Sequence, residues 1–389
     1  MRIVHTSDWH IGHRLYDFDR TDESAAMLDS IIGHVESAHA DALLVSGDVF
    51  DTPQPSAQAQ KLFASKMMEL RRRCPRLRII VTAGNHDSAT RHEAVNPLWD
   101  AVGIDMIGTV STDDLRHNIV VIPGKGVIAA VPYVNPRFLP DDYFRRLIGE
   151  AMSMKESDTL PLVLMAHLPV TGCDSTGHDA DDVIIGGVEA AVLADLGEGY
   201  DYLALGHIHK EQTLSPKARY CGSPLPMGFD EDFEHFISVV EIDSAGAVPA
   251  VERCRIETPV PLVTLPSDGP GSWDEATAAI GALDPLSPAY IRLQVTDDGS
   301  IPPDARSRAA ALCEGTQLRI CTIKAVRPEL RGNDGEEDSG TMDFDRIRTI
   351  APSEIARMYA ASEGREFDAE LADMFALAAA NVESENRQR

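Results

Sequence analysis

Five short polar motifs run in one order through the first two-thirds of the 389-residue chain: Asp8-Trp9-His10, Gly47-Asp48-Val49-Phe50-Asp51, Gly84-Asn85-His86-Asp87, Ala166-His167-Leu168 and Gly206-His207-Ile208-His209. They supply two aspartates (Asp8, Asp48), one asparagine (Asn85) and four histidines (His10, His167, His207, His209) as candidate ligands. Hard carboxylate oxygens with neutral imidazoles suit manganese, iron or zinc better than calcium. One ion would not use seven such ligands. Two divalent ions would, provided one carboxylate bridges them. Two metals about 3.5–4 Å apart can clamp a phosphate and generate a nucleophile from water at neutral pH. A spare imidazole can then protonate the leaving oxygen.

Each motif follows an apolar, β-branched run: Arg2-Ile3-Val4, Leu43-Leu44-Val45, Ile79-Ile80-Val81, Leu162-Val163-Leu164 and Tyr202-Leu203-Ala204-Leu205. Such runs read as buried strands. Five strands therefore deliver polar groups from their C-terminal ends, where open α/β sheets usually place their sites. Any one motif alone is weak. Gly-Asn-His-Asp can be a turn, Asp48 can be a helix cap, and His207 with His209 can be a satisfied pair. All five in order make a purely structural explanation improbable. His5, His13, His34, His39, His92, His117, His178 and His235 read as solvated or core histidines. His13 and Tyr16, just after the first motif, are within reach of a substrate.

The elements around the motifs alternate. Helices are expected near 22–39, 55–72 and 141–154, with Met27, Leu28, Ile31, Ile32 and Val35 forming the stripe of the first. Strands are expected at 2–6, 42–46, 78–82, 104–107, 119–122, 127–131, 161–166, 200–206, 218–221 and 235–242. Residues 170–183 read as a polar loop over the site. Pro259, Pro261, Pro266 and Pro270 mark a boundary. Beyond it, a helix near 273–283, a strand at 289–296, a helix at 303–313 and a strand at 317–326 suggest a small α/β unit. It has no histidine, so its expected job is recognition or capping. Residues 329–341 form an acidic, glycine-bearing linker. Two short amphipathic helices follow, near 352–362 and 368–380. Their stripe of Ile355, Met358, Tyr359, Leu371, Met374 and Phe375 points to a partner groove rather than to the alternative, a hairpin folded back on the body of the chain. The organisation expected is thus 1–260, 261–328, 329–341 and 342–389.

The formal net charge of −27 is awkward for a protein that meets a polyanion, because nucleic-acid enzymes usually present basic surfaces. The densest basic run, Arg71-Arg72-Arg73 with Arg76 and Arg78, reads first as a solvated helix end. Six scattered cysteines without a C-x-x-C pair read as reduced thiols. The chain enters a strand at once and has no apolar run long enough to span a bilayer. A cytoplasmic location with no membrane contact is expected.

The ordered motif set resembles the calcineurin-like metallophosphoesterase superfamily, whose pattern is D-x-H, G-D-x-x-D, G-N-H-D/E, a lone His after a strand, and G-H-x-H. The resemblance implies an α/β fold: a two-layered β-sandwich flanked by helices, with a small α/β capping domain and a C-terminal helical tail. It implies that Asp8, His10 and His209 bind one metal, that Asn85, His167 and His207 bind the second, and that Asp48 bridges them. It gives His86 the role of general acid or transition-state stabiliser, oriented by Asp51. The longer strings His5-Thr6-Ser7-Asp8-Trp9-His10-Ile11-Gly12, Ser46 to Thr52, Ala166 to Val170 and Gly222-Ser223-Pro224-Leu225-Pro226 are similar to the double-strand-break nuclease subunits of that superfamily. That similarity implies two divalent ions with manganese as the working metal, and exonuclease and endonuclease action on DNA ends and hairpins. The partner implied is an SMC-like coiled-coil ATPase that takes the tail helices, around a homodimer within a heterotetramer. DNA contact would then be shared with the ATPase, which answers the charge problem.

Two other readings compete. One is a phosphodiesterase for a small phosphoester, which would need neither the capping unit nor the tail. The other is a non-catalytic DNA-end scaffold, which would need neither His86 nor Asp51.

Overall fold

The computed structural model describes residues 1–135, 138–176, 190–297 and 301–326. Two six-stranded sheets stack face to face. The first runs Ala250–Arg255, Phe236–Glu241, Arg2–Thr6, Ala42–Ser46, Arg78–Thr82, Ile104–Ile107, with its last four strands parallel. The second runs Gln212–Ser215, Ala218–Tyr220, Tyr202–Gly206, Leu162–His167, Gly126–Val131, Ile119–Ile122, and its four inner strands are parallel. Side chains alternate across each strand. Ile3, Leu44 and Ile80 of the first sheet meet Ile128, Val163 and Ala204 of the second in a buried core between the sheets. Val4, Leu43, Val45, Ile79 and Val81 face the other way, onto Met27, Leu28, Ile31 and Ile32 of the Thr21–Ala38 helix and Phe63, Met67 and Leu70 of the Ala57–Arg73 helix. The Tyr143–Ser153 helix covers the outer face of the second sheet through Tyr143, Leu147, Ile148 and Ala151. Strands covered on both faces need apolar residues at every position, which is why they read as continuous runs. This is the expected α/β sandwich flanked by helices.

A third, three-stranded parallel sheet follows: Leu262–Leu265, Ala289–Thr296 and Leu318–Val326, with the Trp273–Ile280 and Ala305–Leu312 helices against it. Ser272 and Glu275 close a capping box at the start of the first of these helices.

Besides the short Arg14–Leu15 and Phe18–Asp19 hairpin and two single 3-10 turns, four elements were not expected. The Ala89–Asp100 helix carries Pro97 inside it and lacks a clear apolar stripe. The Gln212–Ser215 and Ala250–Arg255 strands are sheet edges, and the second is largely exposed, so neither has an apolar face to announce it. The Leu262–Leu265 strand lies between Pro261 and Pro266, in the proline-punctuated stretch where no strand was expected. The linker at 329–341, the tail at 342–389 and residues 177–183 of the expected loop lie outside the described residues. Among the described residues, no helix is long and apolar enough to cross a membrane. All six cysteines are free thiols.

Candidate metal centre

The motif residues occupy the loops leaving the C-terminal ends of parallel strands, and four of them have a strained backbone. Asp8 (φ 53°), His10 (43°), Asp48 (50°) and His207 (99°) lie in the left-handed region. Such conformations cost on the order of 1–3 kcal/mol each and persist only where surroundings fix them. Here the fixing is visible. The Asp8 amide donates to the Gly47 carbonyl (3.0 Å) and the His10 amide to the Asp48 carbonyl (3.0 Å). The buried Asp87 carboxylate accepts from the amides of Val49, Phe50 and Gly84 at 2.9–3.0 Å, stapling the second and third loops together. The His86 amide donates to Asp48 Oδ1 (2.8 Å), and the His207 amide to Asp8 Oδ1 (3.1 Å). Two glycines are required by close approach. A Cβ on Gly47 would sit 2.1 Å from the His167 ring, and one on Gly84 would sit 2.1 Å from Asp48 Oδ1.

Around this frame the donors fall into two main groups. Asp8, His10 and His209 bring their ligand atoms within 4.8 Å of one another, and so do Asp8, Asp48 and His167. Asn85 Oδ1 lies 3.0 Å from His167 Nε2 and 3.0 Å from His207 Nδ1, which adds both residues to the second group. Asp48 Oδ2 is 3.3 Å from His167 Nε2 and 3.9 Å from His10 Nε2, so its carboxylate stands between the groups. All seven expected ligands are therefore brought together.

The hydrogen bonds fix what these nitrogens can do. His167 Nδ1 donates to the Ser46 carbonyl (2.7 Å) and His209 Nδ1 to Glu231 Oε1 (2.7 Å). Each ring then turns an Nε2 lone pair toward the cluster. The Nε2 of His167 faces the oxygens of Asn85 and Asp48, and the Nε2 of His209 lies 3.2 Å from that of His10. Acceptors facing acceptors in a buried site need a cation or a proton between them. Burial works against protonation of His209, but Glu231, Asp8 and Asp48 outweigh it and push the imidazole up to about 9. Burial likewise opposes, and Asp48 and Asp8 overcome, the rise of His167 to about 9. Asp48 is held well below the carboxylate range because His167, His10 and His86 offset its burial. The cluster is built to hold positive charge, and its mixed nitrogen and oxygen donors fit divalent metal ions.

His86 lies at the rim. Its ring meets His10 edge-on at 4.9 Å, and it forms a third possible group with His10 and Asp48. Its Nδ1 donates to the main-chain carbonyl of Asp51 at 3.0 Å. The contact between Asp51 and His86 is thus made through the Asp51 main chain. The Asp51 carboxylate instead lies 3.7 Å from His10 Nδ1. A cleft of about 380 Å³ opens beside the cluster, and His10, His86, His209, Asp51, His13 and Tyr16 line it. His13 and Tyr16 thus border the site. His5, His92 and His235 are buried in the body, and His178 lies outside the described residues. Three of the five arginines of the basic run are engaged within the chain: Arg71 donates to the Leu77 and Pro75 carbonyls, Arg73 pairs with Glu36 and Glu69, and Arg78 with Asp100 and Asp105, while Arg72 and Arg76 are exposed. Asp87 and Glu231 were not foreseen. Asp87 had a signal, as the fourth residue of its motif. Glu231, five residues beyond the Gly222–Pro226 string, belongs to no motif and had none.

The model of the calcineurin-like phosphoesterase family matches residues 1–211, and that match spans more than half of the chain. SbcD of Rhodobacter capsulatus, a subunit of the nuclease SbcCD, is 30% identical over 361 residues, which cover 85% of this chain and 88% of that protein. The chain belongs to the calcineurin-like phosphoesterases, in the SbcD family. The SbcD protein of Escherichia coli K12 is 26% identical over 362 residues, covering 85% of this chain and 86% of the relative. "DNA double-strand break repair protein Mre11" of Methanopyrus kandleri is 24% identical over 377 residues, covering 89% and 75%. A second family model, described as a "Type 5 capsule protein repressor C-terminal domain", matches residues 258–363. All five motifs fall within the matched phosphoesterase segment.

Proposed function

We propose that this chain is a DNA nuclease with two divalent ions, manganese as the working metal, that hydrolyses phosphodiesters at DNA ends and hairpins during break processing and repair. The observation that carries the reading is the convergence of seven donors with opposed lone pairs at the strand ends. Relatives named as parts of the SbcCD nuclease, matched along most of the chain, direct it toward DNA.

Asp8, His10 and His209 would hold one ion, Asn85, His167 and His207 the other, and Asp48 would touch both. Bound there, two metals supply Lewis acidity toward the phosphate oxygens and activate water. The chain supplies the rest. Asp48, kept ionised by its histidine neighbours, offsets the repulsion between two dications. His86, with Nδ1–H committed to the Asp51 carbonyl, keeps its second nitrogen for proton transfer to the leaving oxygen. The half-buried position of His86 on the cleft supports this role over that of a ligand. The cleft would seat the scissile phosphate.

We place the three-stranded unit as the capping, DNA-recognising part of 261–328, and a cytoplasmic complex with an SMC-like ATPase, SbcC, as the working form. The tail at 342–389 would dock on that ATPase. A homodimer within a heterotetramer would form on the face between the Ala57–Arg73 and Ala89–Asp100 helices. There Met68, Val95 and Leu98 are exposed around an apolar groove that reaches Phe63 and Trp99. An apolar face of this kind commonly marks a protein interface.

The test is manganese-dependent cleavage of a hairpin duplex against a small generic phosphodiester, with and without the ATPase. Preferential hairpin cleavage that the ATPase stimulates is expected. Turnover of the small ester alone would favour the small-phosphoester reading. A chain cut near Gly340 should keep basal cleavage and lose co-purification with the ATPase.

A further inference from the structure

One carboxylate supports the metal cluster from outside every motif. Glu231 is buried, and its Oε1 accepts from His209 Nδ1 at 2.7 Å. Its other oxygen accepts from the Met227 amide at 3.0 Å, so the side chain is fixed at both ends. A histidine ligand whose far nitrogen is held by a carboxylate keeps its tautomer and ring plane.

The loop that carries Glu231 is itself gripped from the three-stranded unit. Arg292, on the Ala289–Thr296 strand, donates to Asp230 Oδ1 (2.6 Å) and to the Phe229 carbonyl (3.0 Å), and its guanidinium lies over the Phe229 ring at 5.2 Å. Thr264 Oγ1 of the neighbouring strand holds Arg292 Nε at 3.1 Å. The other end of the loop is reached from the same strand. Tyr290 donates its hydroxyl to Glu23 Oε1 (2.6 Å), Glu23 pairs with Arg20 (2.9 Å), and Arg20 donates to the Pro226 carbonyl (2.6 Å). Phe229 and Tyr290 share one small buried cluster with Leu15, Val260 and Cys321.

We infer that Glu231 is a positioning residue for the first metal, and that Arg292 and Tyr290 set its place from the three-stranded unit, so that unit tunes the affinity of a site it does not touch. The inference rests on the two-metal reading above. The loop Pro226–Glu231 is the only described path on which a hydrogen bond from this unit ends beside a metal ligand. A shift of the Ala289–Thr296 strand would pull the loop and turn the His209 ring. Contacts elsewhere between the two parts, such as Arg306 to Asp17 (2.8 Å, exposed), do not reach the loop.

The experiment is a manganese titration of the full-length protein, read by equilibrium dialysis with elemental analysis, beside the visible spectrum of the cobalt-loaded form and a thermal melt. Glu231→Ala should weaken one of two manganese sites by about 10- to 100-fold and change the cobalt spectrum. Glu231→Gln, which keeps an acceptor oxygen, should recover part of that loss. Arg292→Ala should weaken the same site by about 2- to 30-fold, the range of couplings carried by a packed network. In a Glu231→Ala background it should add nothing, and Arg306→Ala should leave the affinity unchanged. Wild type with two manganese ions and Glu231 variants of unaltered affinity would overturn the Glu231 assignment. An effect of Arg292→Ala that adds fully to Glu231→Ala would overturn the coupling. Wild type that binds no manganese would overturn the metal centre itself, and this inference with it. Should Glu231→Ala fail to fold, the Arg292 and Glu231→Gln arms decide.

Discussion

The metal-binding loops and the three-stranded unit are built on opposite plans. In the loops, Asp8, His10, Asp48 and His207 hold left-handed backbone without being glycine, and charged groups are buried among one another. In the described part of the three-stranded unit no residue other than glycine has positive φ, and its core is Leu265, Trp273, Ile291, Leu293, Val295, Ala309 and their neighbours. Strain and buried charge gather where chemistry is to be done, while the unit beside it spends nothing on either. The loops therefore depend on the stability of the sandwich beneath them. The unit needs only its own apolar core and its grip on the Pro226–Glu231 loop.

Four outcomes would sharpen or break this contrast. The largest belongs to Asp48. Asp48→Asn removes the charge set between the two groups, so both ions should be lost in part and cleavage should fall below detection; full activity with two ions would remove the bridging role. His86→Ala should lower turnover by about two to four orders of magnitude while elemental analysis still counts two ions. Because His86 also stands near His10 and Asp48, loss of an ion in that variant would make it a ligand. In the three-stranded unit the expected loss is of another kind. Ile291→Ala, in a fully buried strand position, should destabilise by about 2–5 kcal/mol in chemical denaturation and leave two ions bound.

The smallest effect is a pH slope. His5 lies buried under the loops, its Nδ1 2.9 Å from the Tyr202 hydroxyl, and burial, then the charge of Arg219, lowers it to about 3. The unfolded chain takes that proton near the ordinary histidine value of about 6.5. The stability is thus fully present above about 6.5 and declines as the pH falls from there toward 3. Melting temperatures between pH 7 and 5 should fall less steeply for His5→Asn. The three-stranded unit has no histidine and contributes no such slope.

Much of the site was legible because both its signals are local. A β-branched run declares a buried strand, and the polar residues just beyond it declare what the strand end presents. Asp8, Asp48, Asn85, His167 and His207 could be placed together without coordinates for that reason. The supports were not legible. The carbonyl of Asp51 holds His86, and a backbone atom has no residue type to read. Glu231 reaches His209 across a loop that carries neither periodicity nor motif. The Ala89–Asp100 helix was missed because Pro97 and its exposed apolar residues mask its period, and the Ala250–Arg255 strand because an exposed edge has no face to alternate.

The central claim is two ions held by named side chains. Crystals grown with manganese, measured at a wavelength where manganese scatters anomalously, test it most directly. Two peaks are expected, one among Asp8, His10 and His209 and one among Asn85, His167 and His207, with Asp48 oxygens against both. A single peak, or a second one held by other residues, would contradict it.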